Sequence, residues 1–192
     1  MAAGELTILI NDPQSDQLSL KEHKQVAASE NNKSIIYSTF GADPSNLYQS
    51  AGWTIGGDMS PYDQMIAMSF TPSSTTYLTK IKVAAGTLGG GEVIVAIHED
   101  EAGLPGAQMK KFKADNLPAF GECCDVVKKS FQGVQVLAGK QYWVAVHAAG
   151  KNSTFQGGWH FGYSDKSTLA ASSGNGWYQI TGAAPAFSVL GD

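Results

Sequence analysis

The sequence predicts an all-β protein, a jelly-roll-like antiparallel β-sandwich with an extended N-terminal arm. Three observations carry this. Apolar residues recur at every second position in segment after segment, turn-forming pairs separate those segments, and helical periodicity is scarce. With 192 residues, 43% hydrophobic and 16% charged, the chain can supply the core of one domain and is not a disordered polyampholyte.

In chain order, residues 5–11 form the first candidate strand, with Leu6, Ile8 and Ile10 alternating with Thr7 and Leu9. Residues 18–28 offer two or three helical turns of poor apolar spacing, and residues 34–40 form a second candidate strand. The polar stretches 12–17 and 28–33, and the absence of Trp before Trp53, set the first 45 residues apart. This gives an arm over 1–45 and a sandwich over 46–192. The arm either supplies the first strands of its own sandwich or adds to a neighbour's sheet.

Within the sandwich, Ile66, Met68 and Phe70 define one strand, and Tyr77, Thr79, Ile81 and Val83 the next, with Lys80 and Lys82 on its opposite face. Val93, Val95 and Ile97 follow, then Tyr142, Val144 and Val146, then Trp159, Phe161 and Tyr163, and finally Phe187 and Val189. The breakers between them include Gly89-Gly90-Gly91, Gly103-Leu104-Pro105-Gly106 with Leu104 directed inward, Gly157-Gly158 and Gly174-Asn175-Gly176. Pro72 ends the strand at Phe70, because proline lacks the N–H that a central ladder needs. No repeat of solenoid or propeller period stands out.

The order of several of these motifs resembles the choice-of-anchor β-sandwich domains, type R in particular, of bacterial surface proteins. The stretches that carry the resemblance are Met68-Ser69-Phe70-Thr71-Pro72, Tyr77-Leu78-Thr79-Lys80-Ile81, Val93 to Asp100 followed by Gly103-Leu104-Pro105-Gly106, and Leu137 to Val144. They cover less than half of the chain. The resemblance implies a jelly-roll-like sandwich and no catalytic constellation. The chain shows neither the secretion signal nor the C-terminal anchor of such surface proteins. This favours a setting where sandwiches assemble without secretion, and a phage virion is the expected one, with an extracellular surface reached by a non-Sec route as the alternative.

Charge narrows the function classes. Seventeen acidic and thirteen basic residues give −4, and every basic residue is Lys. The absence of Arg removes the usual bidentate reader of phosphate and guanine, so nucleic acid is not an expected partner. Residues 167–191 carry no charge, but polar residues interrupt them throughout, so no membrane span is expected. The adjacent Cys123 and Cys124 read as one buried and one exposed free thiol, or as an intermolecular crosslink.

No nucleophile elbow, zinc-protease motif or Walker loop is present, and Gly86 to Gly91 reads as a hairpin loop. His98 and His147 each follow an apolar strand and are able to approach one another, while His23 and His160 stand apart. Glu99, Asp100 and Glu101 form the densest carboxylate run, either a solvated turn or a weak calcium candidate. No other metal or cofactor is expected. Asp165, after a run of aromatics, reads as a turn cap.

Trp159, Tyr163, Trp177 and Tyr178 fall among Gly, Asn, Ser and Gln, a composition that suits stacking on sugar rings or simply a sandwich core. The expectation is therefore a non-catalytic structural protein of a virion (capsid decoration, tail or fibre) that self-associates and contacts neighbouring subunits. The alternative is a carbohydrate-binding module or adhesin that binds glycans on those four aromatics.

Overall fold

The computed structural model describes residues 34–123, 126–150, 152–164 and 168–192. The candidate strand 5–11, the helical stretch 18–28, His23, Cys124 and Asp165 lie outside the described residues. The strands are β1 (Ser34–Ser38), β2 (Gly52–Gly56), β3 (Met65–Phe70), β4 (Thr76–Val83), β5 (Ala85–Thr87), β6 (Val93–Glu101) and β7 (Leu104–Ala114). They continue with β8 (Val127–Val136), β9 (Tyr142–Ala148), β10 (Gln156–His160), β11 (Leu169–Ser172), β12 (Tyr178–Ile180) and β13 (Phe187–Gly191). A single turn of 3-10 helix at Pro44–Asn46 is capped by Asp43, whose carboxylate accepts from the Ser45 N–H at 2.8 Å.

Three sheets build the sandwich. One orders its strands β12-β11-β3-β9-β6-β7, a second β1-β13-β4-β8, and a third β2-β10-β5. All ladders among β2–β13 are antiparallel. The predicted fold class is the observed one. The third sheet continues from the second with only Ala84 between β4 and β5, and the chain crosses between layers at each step from β3 to β4, β7 to β8 and β9 to β10. The second candidate strand of the sequence appears as β1, beside β13 in the four-stranded sheet.

The pleat sorts side chains as the alternation requires. On β9, Tyr142, Val144 and Val146 enter the main core. There they meet Ile66, Met68 and Phe70 from β3, Leu78, Ile81 and Val83 from β4, and Phe187 and Val189 from β13. The intervening Trp143 and Ala145 point to the outer face of the six-stranded sheet and form a second cluster with Ala67 and Ala170. Leu104 and Trp177 pack over that cluster.

Four local expectations are corrected. Tyr77 is 54% exposed and Leu78 takes its place in the core, because a bulge between Leu78 and Lys80 shifts the pleat by one residue. Gly157-Gly158 does not break a strand but lies inside β10. A Cβ on Gly158 would meet the Phe120 ring and stand 2.9 Å from the Trp53 carbonyl oxygen, so glycine is needed for close packing, not for turning. The reversal after β6 occupies Ala102 and Gly103, with φ of 53° and 80°, and Leu104 to Gly106 already belong to β7. Leu104 therefore packs on the outer cluster instead of the main core. Finally, Phe161 and Tyr163 lie beyond the end of β10.

Strand β7 is the rim of the six-stranded sheet and carries Pro105, Lys110, Lys111 and Lys113. The Lys110 Nζ donates to the Gln132 carbonyl on β8 and lies 5.8 Å from the Phe131 ring centroid, tying the rims of the two layers together.

Candidate functional site

The four aromatics grouped by the sequence do not form one platform. Trp159 is fully buried in the main core, its Nε1 donating to the Ala186 carbonyl at 2.8 Å and its ring edge-on to Phe187. Trp177 is half-buried on the far side of the six-stranded sheet, over Trp143 and edge-on to His98. Tyr163 is exposed and donates to the Asn46 side chain at 2.6 Å, while Tyr178 is exposed on β12. Neighbours in sequence are separated because β10 belongs to one layer and β11 and β12 to the other.

Of the three consecutive acids, Asp100 is committed to the scaffold. Its Oδ1 accepts from Trp143 Nε1 at 2.8 Å and Gln141 Nε2 at 2.7 Å, and its Oδ2 from the Gly103 N–H at 3.2 Å. Partial desolvation pushes this carboxyl up, but the bonds from Trp143, Gly103 and Gln141 and the charge of Lys140 outweigh it and hold it below the ordinary value. Glu99 pairs with Lys140 at 3.4 Å. Among the described residues no group of three His, Cys, Asp or Glu is gathered to hold a metal ion. Replacing Asp100 with Ala leaves Trp143 and Gln141 without their acceptor and should cost about 1–2 kcal/mol of stability at this half-buried site, measured by urea unfolding.

The histidines also bond the backbone. His98 Nδ1 meets the Gly106 carbonyl, His147 Nδ1 the Ala148 carbonyl, and His160 Nδ1 the Gln49 carbonyl, at 2.8, 2.8 and 2.9 Å. His98 and His147 share the outer face, but the Ala96–Ala145 row separates the His98–Trp143 pair from the Ile94–His147 pair. That places them roughly 13 Å apart along the strands, too far to share one ion.

Cys123 is exposed, and it is disulfide-bonded, which corrects the free-thiol expectation; its partner sulfur lies outside the described residues. Residues 121–123 form a turn and loop, not a strand whose alternation would point adjacent side chains to opposite faces.

No protein-family model matches this chain, and no curated protein is similar to it in sequence.

A cleft of about 590 Å³ lies between loop 88–92 and residues 149 and 152–156. Gly90 and Gly91 turn with φ of 89° and 102°, and the Thr87 hydroxyl fixes the turn by donating to the Gly90 carbonyl at 2.8 Å. Across the cleft, the Asp58 carboxylate accepts from the Asn152 and Ser153 N–H groups at 3.0 and 2.6 Å, bonds that lower its pKa. Asn152, Ser153, Thr154 and Gln156 supply amides and hydroxyls to the lining, with Leu88 exposed at the mouth. The acid of this cleft, Glu92, is paired with Lys113 at 2.6 Å. Sequence reading passed over the cleft because its two walls are far apart in the chain and polar; the three successive glycines were its one visible trace. The arrangement offers hydrogen bonds to a hydroxylated ligand.

Proposed function

We propose that this chain is a non-catalytic structural β-sandwich, a phage virion component (capsid decoration, tail or fibre) that acts through protein–protein contacts with its own copies and neighbouring subunits. The observation that carries this reading is the loop between β2 and β3, which presents Met59 and Tyr62 to solvent at 63% and 61% exposure. Methionine and tyrosine are enriched where proteins meet. The expected result is concentration-dependent oligomers or binding to particles in analytical ultracentrifugation, weakened by Met59→Ser with Tyr62→Ser. A chain that stays monomeric at every concentration and binds no particle overturns the proposal.

The cleft over loop 88–92 supports a second reading, a carbohydrate-binding module or adhesin, since amides and hydroxyls suit the hydroxyl groups of a glycan. A glycan array separates the two. The second reading expects a sugar-dependent signal that falls with Asn152→Ala, and the first expects none.

A further inference from the structure

We propose that the outer face of β4 and β8, the solvent-facing part of the four-stranded sheet, is a docking surface for an extended, acidic protein segment bearing carboxylates at alternate positions. Lys80 and Lys82 lie on the face of β4 opposite the buried Ile81 and Val83. Across the ladder, Lys82 is paired with Lys128 and Lys80 with Ser130 on β8, while Ser188 and Leu190 of β13 flank the two lysines on the other side. Lys129, paired with the inward-facing Ile81, points to the other side of the sheet, so the outer face carries Lys80, Lys82 and Lys128.

No Asp or Glu occurs in β1, β4, β8 or β13. The salt bridges among the described residues are elsewhere, at Lys113–Glu92 and Lys140–Glu99. Asp115 borders a hollow with Lys128 and Lys129 but forms no ion pair with them. On a chain of net charge −4, this face thus gathers positive charge that no carboxylate among the described residues pairs with. The like charges are close enough to be felt: burial first, then Lys128 and Lys80, lower the pKa of Lys82. Repulsion of this kind costs stability in the isolated chain and is relieved when an anion arrives.

The spacing selects the partner. Lys80 and Lys82 are two residues apart on one strand, about 6.8 Å, which is the repeat of alternate side chains in another extended segment. The surface is the face of two paired strands, and it carries point charges without the guanidinium fork that reads phosphate. Both features favour the carboxylates of an extended peptide over a nucleic acid. The exposed Ser130 hydroxyl on β8 stands ready to bond the peptide's polar groups.

This inference rests on the protein-contact reading and names one of its surfaces. The test is fluorescence-anisotropy binding of the full chain to a labelled ten-residue peptide with Glu at alternate positions. Comparison probes are a peptide of equal composition with its Glu residues adjacent, a single-stranded oligonucleotide and a sulfated oligosaccharide. The alternating peptide is expected to bind best. Lys80→Gln with Lys82→Gln should weaken it about tenfold, and raising salt should weaken it further, since exposed charges are screened over about 10 Å at 0.1 M ionic strength. Because these substitutions remove repulsion, the variant should melt at the same temperature or higher, so a loss of binding is not a loss of fold. Tighter binding of the oligonucleotide or the oligosaccharide, or no binding of the alternating peptide, overturns the inference. Assembly without peptide binding sinks this surface alone, whereas peptide binding by a chain that never assembles sinks the contact reading and leaves the surface standing.

Discussion

Trp159→Ala should lower stability by about 3–5 kcal/mol, the range for emptying a fully buried aromatic site. The indole has no exposed surface, packs edge-on to Phe187 at 5.7 Å and donates to the Ala186 carbonyl. Truncation removes its dispersion contacts, opens a cavity between the layers and takes one of two donors from the Ala186 carbonyl, which keeps the Ala84 N–H. For a protein of this size, each kcal/mol moves the melting temperature by roughly 2–4 °C, so a fall of about 6–20 °C is expected in differential scanning calorimetry. Trp159→Phe should cost less, since most of the apolar volume is retained. Any effect of Trp159→Ala on sugar binding would then follow unfolding. A melting temperature unchanged by Trp159→Ala would contradict the core assignment.

Mild acid, below about pH 6.5, should destabilise the protein through its buried histidines. His160 is buried between the rings of Tyr48 and Phe120, with centroids 4.6 and 4.4 Å away. Its Nδ1 donates to the Gln49 carbonyl, and its Nε2 has no hydrogen-bond partner. Burial disfavours the imidazolium and lowers the pKa of His160 below 6.5, and burial acts on His147 in the same direction.

The unfolded chain therefore binds protons that the folded chain refuses. The stability from neutral histidine is complete above about pH 6.5 and is lost as pH falls from there toward the depressed folded-state values. Each histidine contributes a slope of at most about 1.4 kcal/mol per pH unit. Urea unfolding at successive pH values down to about pH 5 measures it. His160→Phe keeps the stack between Tyr48 and Phe120 and should reduce the slope, with His147 contributing to what remains. A wild-type stability flat across this window would sink the account. The losses from Asp43, Asp58 and Asp100, whose pKa values lie below 3.8, come at lower pH and do not overlap it.

The fold was legible wherever one side of a strand is apolar and the other is not. Ile66-Met68-Phe70, Val93-Val95-Ile97 and Tyr142-Val144-Val146 each fall on the core face of β3, β6 and β9. Strands β7 and β8 were harder to see. Their exposed lysines weaken the apolar signal, and Gly133, with φ of 86°, interrupts the period in β8. The Gly157-Gly158 pair misled because a glycine required by a neighbour's ring looks, in one dimension, like a glycine required by a turn.

The site was less legible than the fold. Trp159 and Trp177 are eighteen positions apart in a chain that changes layers between them, so one faces Phe187 in the core and the other His98 on the outside. Asp100 was visible as a charge but not as the acceptor for Trp143, forty-three positions away. Distance along the chain says little about which polar groups meet across a sheet.

Pro105 and the lysine-laced junction of β7 with β8 bear on how copies of this molecule would add to one another if they assemble. An aggregating β-protein polymerises by zipping rim to rim, each newcomer borrowing the unpaired amides of the last. Here one rim withholds an amide at Pro105 and is fastened to the opposite layer through the Lys110–Gln132 bond. Runaway ribbon growth is blocked along that side, so copies joined through loops and faces would build bounded particles in place of fibres.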